Sequence, residues 1–256
     1  MNGERLQCDR RDGVALMRLN RPHALNALDA PLLQALVGAV EDARRDPAVR
    51  CVVVTGAGRA FSTGADLKAM LAMTKDEFRE FIVLLQRLSA EMRRLAKPSI
   101  AAVNGYALAG GFELAVICDI RIAAENATFG LPDTPIGLSP TSGMTYLLPR
   151  IVGMGWAKHL TFTGETIEAR HAERIGLVTR VVPAGEAEPA ALDMARAIAR
   201  YPPLGLRHVK LGFDTASDVN FFAALTYETE AEVTCFDTEE VRANLRGFVE
   251  RKKRNG

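Results

Sequence analysis

Long apolar runs are missing from this sequence. Nothing in it approaches the roughly 18–20 uninterrupted apolar residues needed to span a bilayer, and stretches such as Ile100 to Val103 are broken within a few positions. Met1 to Gly13 has no apolar centre, so no secretory signal is expected there. Cysteine is scarce. The four present (Cys8, Cys51, Cys118, Cys235) are far apart and mostly set in apolar runs, without a CxxC or a nearby histidine. They read as buried thiols of a reducing compartment rather than as a disulfide framework or a metal site. An excess of one charge is lacking too: 32 Lys and Arg face 31 Asp and Glu, a formal net charge of +1. A dedicated nucleic-acid binder would carry a basic excess or stripe.

Familiar catalytic signatures are absent as well. There is no GxxxxGK[ST] and no GxGxxG opening a helix after a strand, so phosphate-loop and dinucleotide readings fail. No GxSxG elbow occurs. The four histidines (His23, His159, His171, His208) have no ligand spacing, so no metal site is expected. A Ser-His-Asp hydrolase stays open on sequence grounds, with nothing in its favour.

What is present is ordinary globular material, 48% apolar and 25% charged over 256 residues, which rules out disorder and suggests a soluble cytoplasmic protein. Val14 to Leu19 reads as a strand ended by Asn20-Arg21-Pro22. Asp29 looks like an N-cap, followed by Leu32, Leu33, Leu36, Val37 and Val40 at helical spacing. Cys51 to Val54 and Ser99 to Val103 are short enough to be buried strands. Helices are expected over about 76–95 and 110–118. Strand and helix in alternation imply right-handed crossovers and a largely parallel sheet. After residue 140 helices dominate (about 143–150, 153–162, 168–174 and 187–200), with one strand-like run at 177–182. We place a soft boundary near 200, giving a core over 1–200 and a helical region over 201–256.

Two glycine turns follow buried strands and lead into helices: Phe61-Ser62-Thr63-Gly64-Ala65-Asp66-Leu67, and Asn104 to Leu114 with its Gly110-Gly111-Phe112-Glu113 centre. Helix N-termini present unpaired amides that suit an anionic oxygen, and two converging amides make an oxyanion hole. Taken singly, each turn is equally what tight packing asks of glycine.

Together the turns resemble the crotonase superfamily of enoyl-CoA hydratases and isomerases, and the resemblance runs over nearly the whole chain. It rests on Leu19 to Pro22 with Asn26 to Leu28, Phe61 to Leu67, Lys97 to Ala123, Phe129 to Leu138 and Gly247 to Arg254. It implies an α/β fold, a spiral of ββα units with a C-terminal helical trimerisation region. It further implies an acyl-CoA substrate with coenzyme A as part of it, no separate cofactor, and a homotrimer or dimer of trimers working in fatty acid metabolism.

On this resemblance the backbone amides of Ala65 and Gly110 form the oxyanion hole, and Glu113 and Asp133 are the catalytic carboxylates. Coenzyme A would lie along His23, Ala24, Leu25, Asp66 and Leu67, with Arg251 reaching a phosphate. Each has a plainer reading: Glu113 as a complement to a helix dipole, Asp133 as a turn residue after proline, Arg251 as part of a solvated helix end. The chain departs from the family at two places. Asp133 stands where hydratases have glutamate, a retreat of about 1.5 Å. Thr141 and Met144 replace two glycines of a loop that helps place the water. The leading expectation is hydration of a 2-enoyl-CoA by a carboxylate pair. The alternatives are double-bond isomerisation with one carboxylate, or a non-catalytic or RNA-binding relative.

Overall fold

Apolar segments of five or six residues make the main sheet: β2 (Val14–Leu19), β3 (Cys51–Gly56), β5 (Ser99–Val103) and β7 (Ile120–Ala124). β3 and β5 are buried at every position, as expected for parallel strands covered on both faces. With β1 (Leu6–Arg11) and β10 (Arg180–Val182) the order is β1-β2-β3-β5-β7-β10, parallel throughout except for the antiparallel β1 edge. The computed structural model describes residues 5–216 and 218–254, the last four as backbone only.

The two sheet faces part the side chains by the period of two. Val14, Leu16, Val53, Ile100, Ala102 and Ile122 pack on Ala187, Ala191 and Ala195 of α7 (Ala187–Ala199). Met17, Val52, Val54, Ala101 and Val103 face the larger core. That core is covered by α1 (Ala30–Arg45), α3 (Lys75–Arg94) and α4 (Gly110–Val116). Asp29 caps α1 as expected, accepting from the Leu32 amide at 3.0 Å.

A second, smaller sheet lies beyond the carboxyl ends of the first. β4 (Ala60–Ser62), β6 (Tyr106–Leu108), β8 (Thr128–Gly130) and β9 (Thr166–Glu168) pair in that order. β4, β6 and β8 each follow a long strand after a turn, and α2 (Leu67–Leu71) with α3, α4, and a 3₁₀ turn at Thr134–Ile136 follow in turn. This is the ββα repeat.

The expected helices at 143–150 and 153–162 form one element, α5 (Met144–Thr163), broken by Gly153 at φ +78°. Then come α6 (Ala169–Arg174), α7, α8 (Pro203–Ala216), α9 (Phe221–Phe236) and α10 (Glu239–Arg254). Three expectations need correction. The helix from Gly110 ends at Val116, and only 180–182 of the run at 177–182 is strand. Cys51 and Cys118 are buried, but Cys8 is exposed because it sits on the edge strand, and Cys235 is half-buried on α9. Cys51, Cys118 and Cys235 are free thiols.

α8 is tied to the core by an ion pair. Lys210, 8% exposed, donates to Asp119 Oδ1 at 2.5 Å, and Asp119 also accepts from the Ser99 amide at 2.7 Å. No described helix is long and apolar enough to cross a membrane.

Candidate active site

Gly64 ends the β4 turn at φ +86°, a conformation that favours glycine. A side chain there would also collide with the second turn, since an added Cβ would lie 2.7 Å from Ala109 Cβ and 2.8 Å from the Gly110 amide nitrogen. The two turns are therefore in direct backbone contact. Ala109 completes the second at φ +47°, ψ −124°, strained for a residue with a side chain. Its amide bonds Gly130 O at 2.9 Å, which pins the turn to β8.

This geometry frees two donors. A bridge joins Leu28 to Ala65, using Gly64 O and the Asp66 amide, so the Ala65 amide between them is turned away. Gly110 opens α4 and has no acceptor one turn back. Neither amide meets a protein acceptor among the described residues. Ala65 and Gly110 both line one cavity of about 440 Å³.

Glu113, also on its wall, is 2% exposed. It sits in the first turn of α4, held in place by its neighbour: Phe112 packs edge-on against Phe129 of β8, ring centres 6.5 Å apart. Such a pair adds about 0.5–1.5 kcal/mol beyond burial. Both Glu113 oxygens are engaged. Oε1 accepts from the Thr141 amide at 2.5 Å, and Oε2 accepts from Thr141 Oγ1 at 2.7 Å and Ser142 Oγ at 2.8 Å.

Asp133 lines the same cavity, just before the 3₁₀ turn. Its Oδ2 is buried and has no hydrogen-bond partner among the described residues. Burial, and secondly the charge of Glu113, push its carboxyl up to about 6. The remaining wall is mostly apolar, built from Leu67, Met70, Phe78, Phe81, Ile82 and Leu85 with Ile136 and Leu138, and Thr63 and Ser139 add two hydroxyls. Among the described residues no lysine, arginine or histidine lines it.

The residues expected along coenzyme A divide. Leu67 lines the cavity. His23 and Ala24 belong to a 3₁₀ turn (Pro22–Ala24) outside its walls, and Leu25, which closes that turn, is tied to the first glycine turn where Thr63 N and Oγ1 donate to Leu25 O at 3.2 and 3.4 Å. The Asp66 carboxylate is occupied structurally, accepting from Arg21 at 3.1 Å and from the Ala69 amide at 3.4 Å. Partial burial alone would raise it, but Arg21 and these amides outweigh that and hold it below the usual carboxylate range. The Arg251 side chain lies outside the described residues, and only its backbone is placed, in α10.

Sequence reasoning singled out Thr141 as a departure but missed its bonds to Glu113, and it missed Ser142 altogether. The available signal was the pair of hydroxyls following Pro140, where a glycine loop was expected. Among the described residues no group of three or more His, Cys, Asp or Glu is placed to hold a metal ion.

Known proteins share this architecture and its sequence. A model of the enoyl-CoA hydratase/isomerase family matches residues 9–255. A short-chain-enoyl-CoA hydratase of Clostridium acetobutylicum is 40% identical over 244 residues, 95% of this chain and 94% of that one. A crotonyl-CoA hydratase of Syntrophomonas wolfei is 38% identical, covering 98% and 97%. The crystal structure of an enoyl-CoA hydratase from Bacillus anthracis superposes with a TM-score of 0.94 at 35% identity, covering 96% of each chain. The fold is thus the crotonase fold, and the chain belongs to the enoyl-CoA hydratase/isomerase family.

Proposed function

We propose that this protein hydrates a 2-enoyl-CoA to a 3-hydroxyacyl-CoA. The observation that carries this reading is the meeting of two unpaired amides, Ala65 and Gly110, beside buried Glu113 on the wall of one apolar cavity. The thioester oxygen would accept from both amides, which stabilise the negative charge that grows on it as water attacks. Glu113 takes a proton from the water as its oxygen bonds the β-carbon. The α-carbon of the resulting enolate then receives a proton from Asp133, whose raised carboxyl suits an acid. Water is added across the double bond with no net redox change, so no electron carrier enters the balance, and coenzyme A arrives with the substrate.

The wall favours an uncharged acyl chain. An ω-carboxylate would be buried without a cationic partner, which costs several kcal/mol. Coenzyme A would lie outside the cavity along His23, Ala24, Leu25, Asp66 and Leu67, with Arg251 near a phosphate.

A second reading, double-bond isomerisation, uses the same amides and a single carboxylate. The observation in its favour is the contrast between Glu113, held by three donors, and Asp133 Oδ2, held by none. Turnover of trans-2- and trans-3-enoyl-CoA thioesters in deuterated water separates the two. A 3-hydroxyacyl product with one deuterium at the α-carbon supports hydration, and migration without added oxygen supports isomerisation. Glu113→Gln keeps the shape but cannot accept a proton, so kcat should fall by about 10²–10⁴ with KM nearly unchanged. Full activity in that variant would remove both readings.

A further inference from the structure

We infer that Thr141 and Ser142 are positioning residues that clamp the Glu113 carboxylate in one orientation, and that Ser89 of α3 holds the clamp closed. The inference rests on the proposed role of Glu113 and goes beyond it, because it explains what the departure from a glycine loop does.

A carboxylate offers about four lone-pair positions. Three are filled here, by the Thr141 amide, Thr141 Oγ1 and Ser142 Oγ. One remains for the reacting proton. Thr141 stands where the resemblance puts a glycine of the loop that helps place the water, and its amide is spent on Glu113. The water must then be gripped by that last lone pair and by Asp133. The loop achieves this through a strained residue: Ser142 has φ +53° and is only 3% exposed. Residues with side chains hold such a conformation only where the surroundings enforce it. The enforcement comes from α3, where Ser89 Oγ donates to Ser142 O at 2.9 Å. α3 also supplies Phe78, Phe81, Ile82 and Leu85 to the cavity wall, so one helix lines the acyl chain's space and fixes the base beside it.

The test uses Thr141→Val with Ser142→Ala, which removes both hydroxyls while keeping the Thr141 amide. Its readouts are kcat and KM on a 2-enoyl-CoA, and the infrared carboxylate band present in the wild type and lost in Glu113→Gln. The band is read without substrate, so it reports on the clamp whatever reaction the protein performs. We expect it to move in the double variant, kcat to fall tenfold or more, and KM to stay within about threefold. Thr141→Ser, which restores the hydroxyl, should recover kcat to within about threefold of the wild type. Ser89→Ala, outside the cavity wall, should lower kcat about two- to tenfold with KM unchanged, and it carries the test should the double variant fail to fold. An unmoved band, or kcat within twofold of the wild type, overturns the clamp. A moved band in a protein that hydrates no enoyl thioester supports the clamp and removes the proposed function.

Discussion

At the scale of the residue, Asp133 and Glu113 show how two like groups on one wall are made different. Glu113 is surrounded by donors, while Asp133 Oδ2 is buried with no partner among the described residues. The cost of that arrangement has a sign that can be measured. Asp133 titrates near 6 in the fold against an ordinary value of 3.8, so between those limits the folded protein binds more protons than the unfolded chain. Stability should therefore decline as pH rises through that window and stay reduced above it. Asp133→Asn removes the penalty. It should raise Tm at pH 8, and the gain should shrink toward pH 4, as followed by thermal melts across the range. A gain that grows toward pH 4 would contradict the raised carboxyl. The same variant should lose hydration by about 10²–10⁴ in kcat, so stability and activity would move in opposite directions.

Between elements, what matters is how closely the two glycine turns approach. Gly64→Ala would place a methyl group 2.8 Å from the Gly110 nitrogen and force an L side chain into φ +86°. Backbone strain of that kind alone costs about 1–3 kcal/mol. We expect a lower Tm and a kcat loss of about a hundredfold or more, because the strain falls on the two amides themselves. Steady-state kinetics beside a melting curve check both. The turns were legible from sequence because they interrupt strong apolar runs, as were β3 and β5, which are such runs, and β2, α1 and α3, whose patterns extend over six residues or more. β4, β6, β8 and β9 were not legible. Each has three residues, too few to show a period, and they exist only because partners distant in the chain pair with them. β1 escaped notice because it is an edge strand with a single buried residue, Leu6. The site was half legible for a similar reason. Glu113 and the glycines carry motifs, whereas the Thr141 and Ser142 bonds to Glu113 span 28 and 29 positions and depend on a positive φ.

On the scale of the whole molecule, the C-terminal helices leave a surplus of apolar surface. Phe213, Phe221 and Phe222 are 80%, 71% and 76% exposed on α8 and α9, and Val233, Phe236, Leu245 and Phe248 continue the pattern. So many large apolar side chains exposed on neighbouring elements ordinarily mark an interface. We expect a trimer or dimer of trimers, three or six times the chain mass of 27.8 kDa, by light scattering at micromolar concentration. Phe221→Ser with Phe222→Ser should shift the mass toward the monomer. A monomeric wild type would refute the assembly. The ion pair of buried Lys210 with Asp119 fastens α8 to the core independently of any such assembly, so the monomer should keep its fold.

The plainness of residues 65 and 110 hides them from conventional mutagenesis. One is already alanine, which an alanine scan passes over, and the other is glycine, where alanine would add a methyl group 3.3 Å from Leu28 Cδ1 and leave the amide in place. Replacing the main-chain amide by an ester, through an α-hydroxy acid installed at either position, deletes the N–H and leaves every side chain in place. For the proposed hole the expected loss is roughly 10²–10³ in kcat for each donor. The activating device would then be written into chain geometry rather than residue identity. The surrounding side chains would be free to redirect the enolate's fate without disturbing how it forms.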